Sequence, residues 1–275
     1  MYLTPFTSLT WAYQLHYYLC FRTYRRIPFF AKSSPAEVVK AALNEISERH
    51  DYHLLEMDTY PNQVRCLVSL QPTQKISKVI QTLKANSTRE CVRQLGWVAP
   101  VWAGGYLARS VGEMHIDAVR QYLEQQSQHH GYETRLRPPV YRYRASAPVS
   151  LTAEHSSFEL NHHLVFATQY RKGVFTSTVG EKLGTYWLLV ARKRGFAIDQ
   201  ISIVPDHVHL LVRVVPKMSI EECALLLLNN GQQFMGQRFP ELLVQVGLTQ
   251  LWQPSAYAGT CGEMSTALVK HWLAG

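Results

Sequence analysis

The 275-residue sequence lacks several features that mark particular protein classes. Its five cysteines are odd in number, widely spaced and without a C-x-x-C pair, so neither a disulfide framework nor a zinc ribbon is indicated. It has no uninterrupted run of 18 apolar residues, and its apolar start lacks the basic region of a signal peptide. These absences predict a cytoplasmic protein without a transmembrane helix.

Two phosphate-binding motifs are also missing. The sequence has neither a Walker loop nor G-x-G-x-x-G, the glycine patterns that hold the phosphates of nucleotide cofactors. Hydrophobic residues make up 47% of the chain and charged residues only 17%, which suits a packed core and excludes a disordered protein. We therefore expect a globular protein, and the sequence gives no sign of a nucleotide-binding loop.

Acidic residues are fewer than basic ones: the chain has 28 Lys and Arg but only 20 Asp and Glu. The excess is uneven: residues 1–145 carry a net charge of +7, and residues 146–275 carry +1. A basic surface favours an anionic partner such as nucleic acid. The first half is the place where we expect such a surface.

The chain repeats itself. Three blocks recur in the same order at an offset of 144 to 150 residues: 13–30 and 158–175, 60–72 and 204–216, and 101–126 and 251–275. Such regularity indicates a tandem duplication. We divide the chain into a first copy (1–127), a linker (128–157) and a second copy (158–275).

Each copy shows the order strand, helix, strand, strand, helix, strand, followed by a terminal helix. The opening strands are predicted at Tyr13–Thr23 and Phe158–Thr168. This order predicts an α+β fold: two tandem ferredoxin-like (RRM-like) domains, each an antiparallel sheet with helices on one face plus a C-terminal helix. The linker is rich in proline and serine, and it contains Arg142 and Arg144 interleaved with tyrosines. It is either a solvated connector or a segment that stacks on bases and pairs with phosphates.

The sharpest local motif is His207-Val208-His209, on a predicted strand of the second copy. Side chains two apart on a strand share a face, so two imidazoles project together, and imidazoles are metal ligands. The first copy has Gln63 and Arg65 at these positions, and Arg has no lone pair to offer a metal. By itself, a His-x-His pair is weak evidence for a metal site, because exposed or hydrogen-bonded structural histidines give this pattern more often.

The terminal helices differ in the opposite sense. In the first copy, Tyr122 and Gln126 are four residues apart, on one helical face. In the second copy Trp272 replaces the tyrosine, and the chain ends before an equivalent of Gln126. Only the first copy therefore offers a tyrosine nucleophile here.

Four features together resemble the HUH-type single-tyrosine transposases, the insertion-sequence-200-like enzymes and their REP-associated relatives. They are the His-hydrophobic-His pair, Tyr-x-x-x-Gln on a late helix, the strand Asn161 to Thr168, and an L-W…Y…T-x-G block at 251–262. The resemblance covers both copies and is stronger in the second. It implies a bacterial, nucleoid-associated enzyme that acts on single-stranded DNA with hairpin ends and uses no nucleotide cofactor, which agrees with the missing phosphate-binding motifs.

The resemblance also implies a set of roles. His207, His209 and Gln126 would hold a divalent metal, Mg or Mn, and Tyr122 would attack a phosphodiester to leave a 5′-phosphotyrosine link. Because the histidines and the tyrosine lie in different copies, we interpret the chain as an internal pseudo-dimer with one composite active site built in trans. Gln63, Arg65 and Trp272 would form a degenerate second site. Decay after loss of function would leave the same pattern.

The remaining expectations concern supporting residues. Asp206 and His163 are predicted to orient the metal ligands from outside, with only one of His162 and His163 able to face the site. The predicted DNA-binding residues are Arg22, Arg25, Arg26, Lys84, Arg89, Arg142 and Arg144. An alternative function is a domesticated, non-cleaving binder of hairpin or single-stranded nucleic acid. Self-association beyond the internal pseudo-dimer stays open.

Overall fold

A computed structural model describes residues 3–112, 115–125 and 139–274; the side chains at positions 122, 124, 125, 272 and 274 are outside this description. The first half contains β1 (Thr10–Gln14), β2 (His16–Arg22), α1 (Ser33–Arg49), β3 (His53–Tyr60), β4 (Gln63–Ser69), α2 (Ile76–Leu95), β5 (Tyr106–Val111) and α3 (Ile116–Gln125). Then come β6 (Tyr141–Arg144), β7 (Ser156–Glu159), β8 (Asn161–Thr168), α4 (Ser177–Arg194), β9 (Ala197–Val204), β10 (His207–Arg213), α5 (Ile220–Arg238), α6 (Pro240–Gln245), β11 (Trp252–Cys261) and α7 (Thr266–Ala274). No helix within the described ranges is both long and apolar enough to cross a membrane.

Two sheets form the framework of the molecule. One has the strand order β3-β4-β2-β5-β7 and the other the order β1-β11-β8-β10-β9-β6. In each sheet, the four strands of one half follow the ferredoxin-like order with antiparallel pairing. The predicted α+β class with two such units is therefore confirmed.

The opening strand of each half changes sheets. A buried leucine, Leu15 in the first half and Leu160 in the second, separates a short strand from a long one. The short strand β1 pairs in parallel with β11, and β7 pairs in parallel with β5, so each half lends a strand to the sheet of the other. The prediction of single unbroken strands here was wrong, because alternation of apolar residues does not reveal which sheet a strand joins.

Part of the predicted linker is a strand as well. Residues 141–144 form β6, which extends the second sheet by pairing antiparallel to β9. Tyr141 lies against two glycines of α4, and a Cβ built on Gly184 would come within 2.3 Å of its ring. This tight packing explains why a basic, proline-flanked segment is ordered, and it corrects the interpretation of residues 128–157 as a connector throughout.

The helices lie on both faces of the sheets. α4 contacts β9 and β6, and α5 contacts β11, on the face where Val208, Leu210 and Val212 enter the main core. Ser219 caps the start of α5, where its hydroxyl and the Glu222 carboxylate each accept a hydrogen bond from the other residue's backbone N–H. The opposite face of each sheet is left for a terminal helix.

The two halves meet along a polar seam. The Tyr17 hydroxyl lies 2.8 Å from His162 Nε2, and these residues occupy equivalent positions in the two halves. The Ser110 hydroxyl donates to the Cys261 carbonyl at 2.6 Å, and the Thr260 hydroxyl donates to the Val111 carbonyl at 2.7 Å. Together with the exchanged strands, these bonds tie the halves into one unit.

Acid should weaken this seam through His162. Burial lowers the pKa of His162 to about 3. The unfolded chain, in which histidine has a pKa near 6.5, therefore binds the proton more readily, so stability falls as the pH drops below about 6.5. We expect His162 to account for a loss of about 2–3 kcal/mol by pH 4. Urea unfolding of His162→Gln at pH 7 and pH 4 should show a smaller acid loss than the unsubstituted protein. The control His155→Gln changes an exposed histidine and should lose as much unfolding free energy between pH 7 and pH 4 as the unsubstituted protein. Equal losses in all three proteins would contradict this prediction.

Candidate active site

Three histidines gather on one face of the second sheet. His207 and His209 project from β10 to the same side, with ring centroids 4.9 Å apart. His163 on β8 lies on that side too, and its Nε2 is 3.0 Å from Nδ1 of His209. Burial lowers the pKa of His163 to about 4, so its ring is neutral. Of the two neighbouring histidines on β8, this is the one that faces the site.

His207 is held by a chain of polar contacts. Its Nδ1 lies 2.7 Å from Asp206 Oδ1, and the other Asp206 oxygen forms an ion pair with Arg171, whose Nε is 3.0 Å away. Burial favours the neutral carboxyl, but the hydrogen bond with His207 and the charge of Arg171 outweigh it and lower the pKa of Asp206. The carboxylate is therefore charged and fixes the His207 ring.

Both halves have the same backbone structure around the position of Asp206. The Thr168 hydroxyl donates to the Asp206 carbonyl, as that of Thr23 does to the Asn62 carbonyl, at 2.9 and 3.2 Å. The adjoining turn has two consecutive left-handed residues, with φ of 56° and 55° at Tyr170 and Arg171 and nearly the same values at positions 25 and 26. Asn62 stands where the second half has Asp206. The carboxylate therefore occurs only in the half that carries the histidine pair.

The donor set suits a divalent metal in one respect and is incomplete in another. In both His207 and His209, Nδ1 contacts a neighbour, which is the usual arrangement of an imidazole that binds metal through Nε2. Within the described residues there is no group of three or more His, Cys, Asp or Glu that could hold a metal. The predicted third ligand, Gln126, lies outside the described residues. The two histidines thus fit a metal that takes its other ligands elsewhere, and the assignment stays a prediction.

The helix that carries Tyr122 packs on this same face. Ile116, Val119 and Leu123 of α3 form a buried cluster with Leu211 and Cys261 of the second sheet. Leu211 is on the histidine side of β10, two residues beyond His209. The Gln200 amide of β9 donates to the Arg120 carbonyl of α3 at 3.3 Å. A helix of the first half therefore lies beside the histidines of the second, although the Tyr122 side chain is outside the described part of the structure.

The reciprocal contact joins α7 to the first sheet. Val269 and Leu273 pack with Leu67 and Val111 on the face that corresponds to the histidine side. The Trp272 side chain in α7 is outside the described part of the structure. Both terminal helices thus lie on the sheet of the other half.

The first sheet has a cation, Arg65, at the position of His209 in the second sheet. The Arg65 guanidinium lies 4.0 Å from the centre of the Tyr60 ring. With its amide oxygen turned toward Arg65, Gln63 accepts hydrogen bonds from Nε at 3.1 Å and Nη2 at 2.7 Å. Arg65 is thus held in place by its neighbours, and, as expected from the sequence, it offers no lone pair to a metal.

The predicted DNA-binding residues fall into different settings. Arg142 and Arg144 pair with Ser202 and Gln200 of β9, which places them on the histidine face of the second sheet. Four others are exposed in the first half: Arg22, Arg25, Arg26 and Arg89. Lys84 is different, because it donates to the Ala103 and Gly105 carbonyls at 2.7 Å each and burial lowers its pKa to about 8. Lys84 therefore anchors a loop, while the DNA contacts of the others stay predictions.

Sequence reasoning missed two residues beside the histidines. Arg171 reaches Asp206 across a turn, and a lone arginine after a strand gave no signal of this contact. Tyr257 of β11 lies edge-on to His163, with ring centroids 5.8 Å apart. Tyr257 belongs to the block at 251–262, but its place on the histidine face follows only from strand register.

We expect Asp206→Asn to weaken metal binding. Asn is the residue at the equivalent position of the first half, so the change keeps the shape of the side chain and removes the charge that fixes His207. Loss of such an orienting group typically costs ten- to hundredfold in metal affinity. Calorimetric titration with Mn²⁺ measures this directly. The exposed carboxylate variant Glu154→Gln should bind Mn²⁺ like the unsubstituted protein; an Asp206→Asn protein with unchanged affinity would show that the carboxylate does not support a metal ligand.

Comparisons with known proteins point to one family. The family model described as "Transposase IS200 like" matches residues 11–126 and, a second time, residues 156–274. The ISDra2 transposase TnpA of Deinococcus radiodurans is 26% identical over 116 residues, which are 42% of this chain and 83% of that protein. The transposase for insertion sequence element IS200 of Salmonella typhimurium is 23% identical over 122 residues, 43% of this chain and 80% of that protein.

Solved structures give similar matches. A transposase structure from Deinococcus radiodurans R1 has 25% identity and a TM-score of 0.33, and the match covers 42% of this chain and 92% of that one. The REP-associated tyrosine transposase bound to a REP hairpin has 10% identity and a TM-score of 0.31, and the match covers 44% of this chain and 68% of that one. Each of these matches spans less than half of the present chain.

Proposed function

Because this chain belongs, in both of its halves, to the family of IS200-like transposases, we propose that it cuts and rejoins single-stranded DNA near hairpins in a metal-dependent reaction. The proposed intermediate is a covalent 5′-phosphotyrosine link to Tyr122. The reaction would take place in one composite site, with the tyrosine from the first half and the histidines from the second. The chain would then act as an internal pseudo-dimer.

The placement of α3 carries this proposal. The helix lies on the second sheet through Leu211, Cys261 and Gln200, on the face of His207 and His209. Leu211 is two residues from His209, a distance of about 7 Å along an extended strand. This placement supports a trans arrangement. In a cis arrangement, Tyr122 would belong with Gln63 and Arg65, and this pair lacks the two imidazoles because Arg has no lone pair for a metal.

The chemistry needs no cofactor beyond the metal. The Tyr122 phenol would lose its proton and form a P–O bond, while the bond from phosphorus to the 3′ oxygen breaks and that oxygen takes up a proton. The link preserves the energy of the broken ester, so a 3′ hydroxyl can later attack it and release the tyrosine. His207, His209 and Gln126 would hold Mg or Mn, which when bound polarises the phosphate and stabilises the charge that develops on it.

The composite site would leave the protein with a single nucleophile. Joining two cut ends then requires that one tyrosine acts twice in sequence, or that two chains cooperate. Arg142 and Arg144, on the histidine face, would hold the strand next to the site. Gln63, Arg65 and Trp272 would form the inactive counterpart.

The first experiment is a search for the covalent adduct. The full chain is incubated with Mn²⁺ and single-stranded DNA that contains a hairpin, and the products are separated on a denaturing protein gel. We expect a labelled band at the mass of protein plus DNA fragment. No adduct with any of a set of hairpin oligonucleotides, under conditions in which the DNA binds, would contradict the proposal.

The second candidate function is a non-cleaving binder of hairpin or single-stranded nucleic acid. The observation in its favour is the +7 charge of the first half, where Arg22, Arg25, Arg26 and Arg89 are exposed. Such a protein would bind without metal, with an affinity that falls steeply with salt. Binding of this kind without an adduct would favour this function over the enzyme.

A further inference from the structure

A groove lies next to the histidine pair on the same face of the second sheet, where Ala167 and Val165 pair with His207 and His209. It crosses β8 and β11 and reaches β1, the strand lent by the first half. Its lining includes small side chains, Thr10, Ala12, Ala167, Ser255 and Ala256, together with the larger Trp11, Val165 and Tyr257. The groove therefore adjoins the candidate active site and has room above its floor.

Strand register places a charge, the histidine and an aromatic ring in one row. Arg142 pairs with Ser202, Ser202 with His209, His209 with Val165, and Val165 with Tyr257. Neighbouring strands are about 4.8 Å apart, so Arg142 and Tyr257 each lie about 10 Å from His209, on opposite sides. Helix α3 packs over the next row, which includes Leu211. A single strand laid along this row would have a cation before the histidines and an aromatic ring after them.

The Tyr257 ring is open to a ligand. The side chain is 40% exposed, although it sits among sheet residues. It lies along the sheet over Gly259, where a Cβ would come within 2.8 Å of the phenolic oxygen, and its edge contacts His163. A side chain at position 259 would lift the ring from this position. Because Gly259 has no side chain, the Tyr257 ring can lie along the sheet beside the histidines.

The first half lacks the same groove. In the repeat alignment Leu107 takes the place of Tyr257, Arg109 that of Gly259, and Arg22 that of Ala167. The aromatic ring, the glycine beneath it and one small floor residue are therefore all absent from the half without the histidine pair. This joint absence argues against a purely structural role for the three residues.

We infer that the Tyr257 groove receives a nucleobase of the single strand whose phosphate lies at the histidine pair. The base stacks on the Tyr257 ring, and the small residues of β1, β8 and β11 make room for it. Stacking on an aromatic side chain is tolerant of base identity and contributes strongly to binding of single strands. The inference rests on the proposed function, because it needs a DNA phosphate at His207 and His209. Tyr257 would be a positioning residue rather than a nucleophile.

The test uses 2-aminopurine, a base whose fluorescence falls when it stacks. The base is placed at successive positions of a hairpin oligonucleotide, and each oligonucleotide is titrated with the full chain in Mn²⁺. We expect one or two adjacent positions near the cleavage site to be quenched. Tyr257→Ala should abolish that quenching and weaken DNA binding about ten- to hundredfold, while Tyr257→Phe should retain both. In Tyr257→Ala, the adduct yield at saturating DNA should fall much less than the affinity for DNA.

Matched controls distinguish failure of this inference from failure of the proposed function. Tyr13→Ala removes a tyrosine of similar exposure, 43%, from β1 on the opposite face of the same sheet, and it should change neither signal. If the unsubstituted protein forms the adduct and Tyr257→Ala leaves the quenching unchanged, the nucleobase site is wrong and the proposed function stands. If no adduct forms with the unsubstituted protein while quenching still depends on Tyr257, the proposed function is wrong and the groove remains a binding site. If Tyr257→Phe behaves like Tyr257→Ala, a ring alone is insufficient and the stacking inference fails.

Discussion

Tyr122→Phe should eliminate the covalent protein–DNA adduct. The substitution removes one oxygen atom and keeps the ring, so α3 should still pack through Val119 and Leu123. Without the phenolic oxygen no P–O bond can form, and loss of a nucleophile typically costs several orders of magnitude in rate. We expect at least about a thousandfold slower adduct formation, measured with labelled hairpin DNA and Mn²⁺ on a denaturing gel.

The chain offers a matched control at the equivalent position of the other half. Trp272→Phe in α7 replaces the indole by a smaller aromatic ring and should leave the adduct at its original level. DNA affinity, measured by fluorescence anisotropy, should be similar for both variants. An adduct that survives in Tyr122→Phe would show that another residue is the nucleophile. An adduct that is lost in Trp272→Phe would contradict the assignment of Gln63, Arg65 and Trp272 to an inactive site.

The proposed division of roles between the halves would explain why two incomplete copies can persist. In each half the terminal helix lies on the sheet of the other, so a tyrosine and a histidine pair can meet only across the seam. Once the halves are covalently linked, a change at Arg65 or at Trp272 affects one site alone. The other site can then retain its full set of residues.

Much of this arrangement could be predicted from the sequence. The ferredoxin-like order followed from alternating strand and helix patterns, and the shared face of His207 and His209 followed from the two-residue period of a strand. The repeat showed that Arg65, the equivalent of His209, could not be a metal ligand. These inferences depend on local periodicity and on comparison of the chain with itself.

Other features depend on long-range pairing, which local patterns do not encode. The exchange of β1 and β7 between sheets is set by which edge each strand meets, and only the buried Leu15 and Leu160 mark the break. β6 is ordered by the packing of Tyr141 against glycines of α4, forty residues away in the sequence. The row that joins Arg142, His209 and Tyr257 exists only through the register of five strands.

Removal of a predicted metal ligand should have an effect as large as removal of the nucleophile. His209 is buried on β10, and its Nδ1 contacts His163, so the ring is fixed before any metal binds. His209→Ala leaves one imidazole of the pair. We expect Mn²⁺ affinity to fall by more than the ten- to hundredfold that is typical for an orienting residue, and adduct formation to become undetectable. Chelation of the metal with EDTA should abolish adduct formation by the unsubstituted protein, and added Mn²⁺ should restore adduct formation.

The control for this prediction lies at the corresponding position of the first half. Arg65→Ala should leave the Mn²⁺ concentration for half-maximal adduct formation unchanged, because that sheet lacks the histidine pair. Calorimetry separates a metal effect from a folding effect, since His209→Ala should keep the unfolding midpoint of the metal-free protein to within a few degrees. Adduct formation that persists in EDTA, or that His209→Ala leaves intact, would show that the strand is cut without the histidine pair. The tyrosine would then need another source of charge stabilisation, for which Arg142 and Arg144 on the same face are the nearest candidates among the predicted DNA-binding residues.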